Sequence, residues 1–164
     1  MSDRRERLRA CPIFQDLAQD PAALDDLAAA CERASAHEGE AIVAEGDEAD
    51  TMYVIQEGRV RVEKRTLSDD AYTVTHLDPE REGFFGDQAL LDRERRSASV
   101  VAETDCLVLV ISRDRFHEWG DRHPAAGLRA TRRIAEQLSR RLRRSNHDIG
   151  MLYSALVHEL EQRL

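Results

Sequence analysis

Residues 85–98 of this chain read Phe85-Gly86-Asp87-Gln88-Ala89-Leu90-Leu91-Asp92-Arg93-Glu94-Arg95-Arg96-Ser97-Ala98. A glycine-led turn runs into a short apolar helical turn, and the free backbone N–H groups of such a turn can point at an anion. Arg96 then supplies a guanidinium, a planar fork of donors that stays charged at any working pH, and Ser97 adds a hydroxyl. The pattern predicts a site for one phosphate group.

Two glycine-punctuated segments precede this site, EGEAIVAEGD over residues 38–47 and MYVIQEGRVRV over residues 52–62. In the second, Val60 and Val62 alternate with charged residues, which is typical of a strand with one solvated face. Further β-rich runs cover residues 72–77, 97–102 and 106–111 and are separated by clusters of Gly, Asp and Glu. Many short strands with tight turns predict a jelly-roll barrel.

Taken together, these segments resemble the cyclic-nucleotide-binding domain family. Residues 85–98 are similar to the family's phosphate-binding cassette, roughly F-G-E-x-A-L-x(5)-R-[SA]-A, and the upstream segments are similar to its G-x-x-I-x(3)-G-D and Y-x-I-x-x-G-x-V-x-V patterns. The resemblance extends from Pro12 to about Leu152. It implies a mostly β fold with flanking helices, in which a double-stranded β-helix (jelly-roll) barrel is followed by a long C-terminal dimerisation helix.

The resemblance also implies a role for each residue of the cassette. Gly86 would let the backbone approach the ligand, because no Cβ intervenes. Asp87 occupies the position of the acidic residue that accepts a hydrogen bond from the ribose 2′-hydroxyl. That residue is usually glutamate, so here the contact needs a small shift or a bridging water. Gln88 replaces the usual leucine, a second departure from the pattern.

Three further cassette positions match the phosphate-binding part of the family pattern. Ala89 resembles the position whose backbone N–H binds phosphate. Arg96 would hold the phosphate, since a cyclic phosphodiester has two exocyclic oxygens that suit a guanidinium fork. Ser97 would contact the same phosphate.

The C-terminal part of the chain carries a second resemblance. Residues 140–150 are similar to the dimer helix of the bacterial catabolite activator branch, R-R-L-x-x-T-S-x-x-V-G. Arg141 matches the second arginine, which implies a place near the phosphate. Ser145 and Asn146 match a hydroxyl pair that contacts the adenine amine, one residue from each subunit; both can accept a hydrogen bond from an amine. The alternative is that Ser145 is a small residue of the helix seam and Asn146 is exposed.

The helices are predicted from caps and spacing. Residues 1–9 are mostly charged, and we expect them to fray. Asp20 before Pro21 predicts a helix over residues 21–33, and Ser112 caps a short helix through Trp119. Residues at three- and four-residue spacing then predict one last helix: Leu128, Thr131, Ala135, Leu138, Leu142, Ser145, Ile149, Leu152 and Leu156.

A helix of about forty residues is roughly 60 Å long, and a barrel of this size cannot cover its whole seam. We therefore expect a parallel two-fold homodimer, or else a helix that is broken at Gly150 and folded back on its own barrel. Two domains are predicted: residues 1–123 form the ligand-binding barrel with its N-terminal helix, and residues 124–164 form the dimer helix.

The composition of the chain argues against several classes of function. The chain has 164 residues and a net charge of −8, which argues against nucleic-acid binding by the surface as a whole. Seven arginines against one glutamate between residues 128 and 147 leave a local basic helix face open as an alternative. Three dispersed cysteines and six scattered histidines show no metal-ligand spacing, and no catalytic triad spacing occurs. No metal, cofactor or enzymatic activity is predicted.

The sequence contains neither a signal peptide nor an apolar run of ~18 residues, so we expect a cytoplasmic protein without a membrane partner. It ends at Leu164, without the winged helix-turn-helix that follows the dimer helix in the catabolite activator branch. The prediction is a free-standing sensor that binds a cyclic nucleotide, with cyclic AMP as the first candidate, and signals to an unidentified downstream protein. A ligand-free dimerisation or adaptor module and a cyclic-dinucleotide binder are the alternatives.

Overall fold

A computed structural model describes residues 2–66 and 68–162. That part of the chain contains the helices α1 (Ser2–Ala10), α2 (Pro21–Ala30), α3 (Arg113–Arg122) and α4 (Pro124–Gln162), and two 3-10 turns at Gln15–Gln19 and Asp87–Leu90. Its strands are β1 (Glu32–Ala36), β2 (Ala41–Val43), β3 (Thr51–Glu57), β4 (Val60–Arg65), β5 (Ala71–Leu77), β6 (Phe84–Phe85), β7 (Ser99–Ala102) and β8 (Cys106–Ser112).

The strands form two four-stranded sheets with the orders β1-β8-β3-β6 and β2-β7-β4-β5. Every strand pair is antiparallel. A buried cluster that includes Ile55, Val60, Phe85 and Val108 draws on strands of both sheets. This arrangement confirms the predicted mostly β fold with flanking helices and a jelly-roll barrel.

A second buried cluster joins the helices to the first sheet and contains Phe14, Leu24, Trp119 and Ile134. Trp119 is completely buried, and its indole N–H donates to Ala23 O at 2.8 Å. Full burial of each such side chain stabilises the fold by roughly 1.5–3 kcal/mol. The helices are therefore fixed on one side of the barrel, and the opposite sheet stays open to solvent along β5.

Within the described part of the N-terminal segment, residues 2–9 are helical rather than frayed, so the expectation was wrong there; Met1 lies outside the described residues. Residues Ser2–Ala10 form α1, in which Leu8 is completely buried. Arg7 donates to Pro79 O at 2.8 Å and to Gly83 O at 3.1 Å, so α1 is joined to the loop before β6. One buried leucine and a guanidinium that binds two distant carbonyls hold a helix that its charged composition alone does not favour.

The helix predicted over residues 21–33 ends at Ala30. Residues Glu32–Ala36 instead form β1, which pairs with β8 from Glu32–Val110 to Ala36–Cys106. The strand has mostly exposed side chains and no hydrophobic alternation, so its sequence carries no strand signal. Backbone pairing with a buried neighbour determines its conformation.

The predicted long C-terminal helix is confirmed, and α4 is continuous through Gly150. At its start, Gly127 packs on Gly120 of α3: a Cβ added to Gly127 would lie 2.8 Å from the Cα of Gly120. Ala130 and Ile134 are buried against the helical cluster, whereas the side chains of residues 139–161 are exposed apart from the half-buried Val157. Within the described ranges, no helix is both long enough and apolar enough to span a membrane.

Candidate ligand-binding site

A cavity of about 690 Å³ opens beside β4 and β5. Its wall also includes the 3-10 turn Asp87–Leu90, the loop over residues 92–98 and one face of α4. Eight of the nine predicted site residues line it: Gly86, Asp87, Gln88, Ala89, Arg96, Ser97, Arg141 and Ser145. Segments that are far apart in sequence are thus brought to one place, and that place is concave, as a small-molecule site requires.

Gly86 starts the 3-10 turn in the left-handed conformation, with a φ of 76°. A Cβ added there would lie 2.7 Å from Arg96 Nη1 and 2.8 Å from Thr51 O. Both the backbone angle and the lack of space require glycine. Gly86 therefore lets the turn approach the Arg96 guanidinium. This contact within the protein explains the glycine directly, whereas the sequence suggested the approach of a ligand.

Arg96 lies inside the site with 8% of its surface exposed. Its Nη1 donates to Thr51 O at 2.8 Å and its Nη2 to Thr51 Oγ1 at 2.7 Å, while the guanidinium lies 5.6 Å from the centre of the Tyr53 ring. Burial lowers the pKa of Arg96 below its usual value, yet a guanidinium stays protonated in proteins. Two of its five N–H donors are held by Thr51, and the others can bind an anion.

Asp87 is almost completely buried. Its Oδ1 accepts a hydrogen bond of 2.8 Å from Arg141 Nη1 of α4, and the Arg141 guanidinium lies 5.7 Å from the centre of the Phe84 ring. Its Oδ2 is buried and has no hydrogen-bond partner. An unpaired buried carboxylate oxygen is costly, so Oδ2 is an acceptor that still lacks a donor.

The backbone N–H of Ala89 is not free, contrary to the expectation that it faces the phosphate. It donates to Gly86 O at 3.1 Å and closes the 3-10 turn. The carbonyl of the same residue is also held, because Ala89 O accepts from Arg113 Nε at 2.6 Å. An anion at this amide therefore has to compete with the hydrogen bond of the turn.

Arg113 is a site-building residue that the sequence analysis missed. Its Nη2 donates to Ala49 O at 2.5 Å, and its backbone N–H donates to Asp50 O at 2.7 Å. The side chain thus connects the 3-10 turn to the loop that leads into Thr51, the partner of Arg96. It follows a strand at the start of α3 without any motif, so only the folded chain shows its position.

The remaining predicted residues lie at the open side of the cavity. Gln88 and Ser97 are exposed and line it. From α4, Arg141, Ser145 and two residues that the sequence analysis did not select, Arg144 and Asp148, contribute to the wall. Their spacing of three and four residues puts them on one face of the helix.

Asn146 is exposed and is not among the described residues that line the cavity. It follows Ser145 by one position, and successive side chains of an α-helix point in directions about 100° apart. The helix therefore turns Asn146 away from the cavity of its own protomer. A contact with the cavity of a second subunit stays a prediction.

The site combines a buried cation, a buried carboxylate with one free oxygen, and an apolar wall that includes Val62, Val74 and Leu77. This set can bind an anion next to a hydroxyl group and cover an apolar ring. Nowhere in residues 2–66 and 68–162 do three or more His, Cys, Asp or Glu side chains come together as a metal site.

The sequence model of the family described as "Cyclic nucleotide-binding domain" matches residues 33–123. Among curated proteins, the cyclic AMP receptor protein of Thermus thermophilus is 29% identical over 145 residues, which cover 88% of this chain and 63% of the receptor. A CRP-like cAMP-activated global transcriptional regulator of Mycobacterium tuberculosis is 26% identical over 90% of this chain and 62% of the regulator. The chain thus spans less than two thirds of these relatives.

Among solved structures, the Thermus thermophilus catabolite activator protein superposes with a TM-score of 0.75 at 30% identity, covering 86% of this chain and 62% of that protein. The range that the family model matches, residues 33–123, includes the cassette region.

Proposed function

Because the chain belongs to the cyclic nucleotide-binding domain family, as the match over residues 33–123 shows, we propose that its cavity binds a cyclic nucleotide as a regulatory signal. In this proposal the cyclic phosphate binds Arg96 and Ser97, and the ribose 2′-hydroxyl donates to Asp87. The observation that carries it is the buried, unpartnered Oδ2 of Asp87 in the same cavity as the Arg96 guanidinium. One group needs a donor and the other an anion, and a cyclic nucleotide supplies both.

Cyclic AMP is the first candidate ligand. Two similar proteins carry cyclic AMP in their names, the Thermus thermophilus receptor and the Mycobacterium tuberculosis regulator. The cavity volume of about 690 Å³ also admits larger ligands, which keeps a cyclic dinucleotide among the compounds to test.

In this proposal, ligand binding changes the position of α4 relative to the barrel. Arg141 of α4 binds Asp87 directly, so a ribose hydroxyl that binds the same carboxylate changes the balance of contacts between helix and barrel. A ligand shifts such an equilibrium only by its different affinity for the two arrangements. A downstream protein would recognise the resulting position of α4.

We also propose that a second copy of the chain covers the distal half of α4. Leu142, Ile149 and Leu156 recur at seven-residue spacing and are 62%, 60% and 56% exposed. Leu152 lies on the same side and is 71% exposed. A parallel pair of helices buries such a seam, and sedimentation at tens of micromolar protein tests it, with a purely monomeric result rejecting the dimer.

Isothermal titration calorimetry with cyclic AMP and cyclic GMP tests the binding proposal. We expect saturable binding by the unaltered protein and loss of binding in Arg96→Ala. The matched control is Arg93→Ala, since Arg93 is an exposed arginine of the same loop that does not line the cavity. Absence of heat and of a thermal shift at millimolar nucleotide would overturn the proposal.

One observation favours the second candidate function, a ligand-free dimerisation or adaptor module. The protein already satisfies the Ala89 amide, and Thr51 holds two donors of Arg96. If no cyclic mono- or dinucleotide binds and Arg96→Ala leaves self-association unchanged, the adaptor function is the one supported.

A further inference from the structure

One face of α4 presents four polar side chains to the cavity: Arg141, Arg144, Ser145 and Asp148. Arg141 already donates to Asp87. Among the described residues, neither Arg144 nor Asp148 makes an ion pair within 4 Å or a side-chain hydrogen bond, so both groups are available to a ligand. They form a cation and a carboxylate one helical turn apart, which places their Cβ atoms about 5–6 Å from each other.

Arg144 and Asp148 lie along α4 where the base of a bound nucleotide is expected. Arg141 marks the level of α4 that contacts Asp87, the group proposed to bind the ribose. At a rise of 1.5 Å per residue, Arg144 lies roughly 5 Å and Asp148 roughly 10 Å further along the helix axis. The described α4 residues that line the cavity begin at Arg141 and end at Asp148, so a base held between the cavity and α4 lies beside Arg144 and Asp148.

The chemistry of the pair matches guanine better than adenine. Guanine carries two acceptors, O6 and N7, which arginine can bind together. It also carries two adjacent donors, N1–H and the 2-amino group, and a carboxylate accepts from both through its two oxygens. Adenine has one amino group and no N1–H, so it offers a carboxylate a single donor and brings the N1 lone pair close to a negative oxygen.

We propose that Arg144 and Asp148 form a base-reading pair that increases the affinity of this cavity for guanine relative to adenine. This inference rests on the proposed binding of a cyclic nucleotide and adds the residues that select its base. It assigns a role in the ligand site to Asp148, a residue that belongs to no recognised motif of the sequence. The pair need not make cyclic GMP the tighter ligand; it sets the ratio of the two affinities.

Calorimetry on the full chain with cyclic AMP, cyclic GMP and cyclic IMP tests the inference. Cyclic IMP keeps O6, N7 and N1–H of guanine but lacks the 2-amino group. We expect Asp148→Ala to weaken cyclic GMP about tenfold, the size of one lost bidentate base contact, and to leave cyclic AMP within about twofold. The advantage of cyclic GMP over cyclic IMP should disappear in the same variant.

Two further variants sharpen the result. Asp148→Asn should move the ratio toward cyclic AMP, because an amide pairs with adenine through one acceptor and one donor. Arg144→Ala should weaken cyclic GMP and cyclic IMP alike, since both retain O6 and N7. Arg132→Ala and Glu161→Gln are the matched controls: both residues are exposed on α4 and do not line the cavity.

The outcomes separate this inference from the proposal on which it rests. If no nucleotide binds the unaltered protein, binding itself is rejected, and the base-reading role falls with it. If nucleotides bind and Arg96→Ala abolishes binding, but Asp148→Ala leaves the ratio of cyclic GMP to cyclic AMP unchanged, the binding proposal stands and the base-reading pair is overturned.

Discussion

Arg141 Nη1 of α4 donates to Asp87 Oδ1 of the 3-10 turn at 2.8 Å, across 54 positions of sequence. The carboxylate is buried, whereas the arginine side chain is 41% exposed. This bond is therefore a direct connection between the proposed ribose site and the long helix. We therefore expect the two residues to be energetically coupled, which mutagenesis can measure.

Arg141→Ala should lower the free energy of unfolding by about 1–3 kcal/mol, because it leaves the buried Asp87 carboxylate without its donor. Adding Asp87→Asn should recover part of that loss, since a neutral amide is less costly to bury than an unpaired charge. Urea unfolding of the two single variants and the double variant gives the coupling. Strictly additive effects would show that the pair does not stabilise the fold.

Thr51→Val should weaken ligand binding about tenfold. The substitution keeps the β-branched shape but removes the hydroxyl that accepts from Arg96 Nη2 at 2.7 Å, and a hydrogen bond to a charged group contributes about 1.5–3 kcal/mol. Titration calorimetry measures the change. Thr73→Val on the exposed strand β5 is the control, and equal affinities of both variants would mean that Thr51 does not position the guanidinium.

Glu82→Gly should raise the free energy of unfolding by up to about 1 kcal/mol, because Glu82 has a φ of 56° in the left-handed region that glycine adopts without a side-chain penalty. The reference is Glu80→Gly in the same loop, where φ is not positive and glycine should be destabilising. Thermal and urea unfolding compare the two. A loss of stability in Glu82→Gly would indicate that its side chain stabilises the loop more than its backbone strains it.

Lowering the pH should weaken the ion pair between Asp16 and Arg133, which holds α4 to the 3-10 turn Gln15–Gln19. Arg133 donates to both carboxylate oxygens, at 2.7 and 3.0 Å, and these hydrogen bonds hold the pKa of Asp16 below its usual 3.8. The unfolded chain then binds more protons than the folded one near this pH, so the stabilisation is present above pH 3.8 and is lost as the pH falls below it.

Asp16→Asn should therefore flatten the dependence of the unfolding free energy on pH between about pH 5 and 3. Urea unfolding at a series of pH values measures this slope. Asp121→Asn, an exposed aspartate of α3 without an ion pair among the described residues, serves as the comparison. The same slope in the Asp16 variant as in the unaltered protein would contradict the assignment.

Glycine spacing and apolar patterning were sufficient to predict most strands of the barrel. Gly86, the alternating valines of β4 and the spacing of α4 each encode a local backbone choice that one or a few neighbouring residues impose. Conformations imposed by distant partners could not be predicted in this way. The helix α1 depends on buried Leu8 and on carbonyls near residue 80, and β1 depends on pairing with β8.

The residues of the candidate site also fall into those that a local sequence pattern identifies and those that only distant contacts identify. The cassette contributes a contiguous pattern, so Gly86, Asp87 and Arg96 could be selected from the sequence. Thr51, Arg113 and Asp148 carry no motif, because each acts on a residue or cavity reached only through the tertiary arrangement of the strands and α4.

By itself, the sequence determined most strands of the barrel, the long helix and the identity of the cassette, since these follow from side-chain size, periodicity and glycine positions along the chain. The tertiary structure alone decided that Thr51 holds Arg96, that Arg141 pairs with Asp87, and that Asp148 rather than Asn146 faces the cavity. The physical reason is that hydrogen bonds and burial act through space, and the rotation of α4 against the barrel is set by packing at Gly127, Ala130 and Ile134.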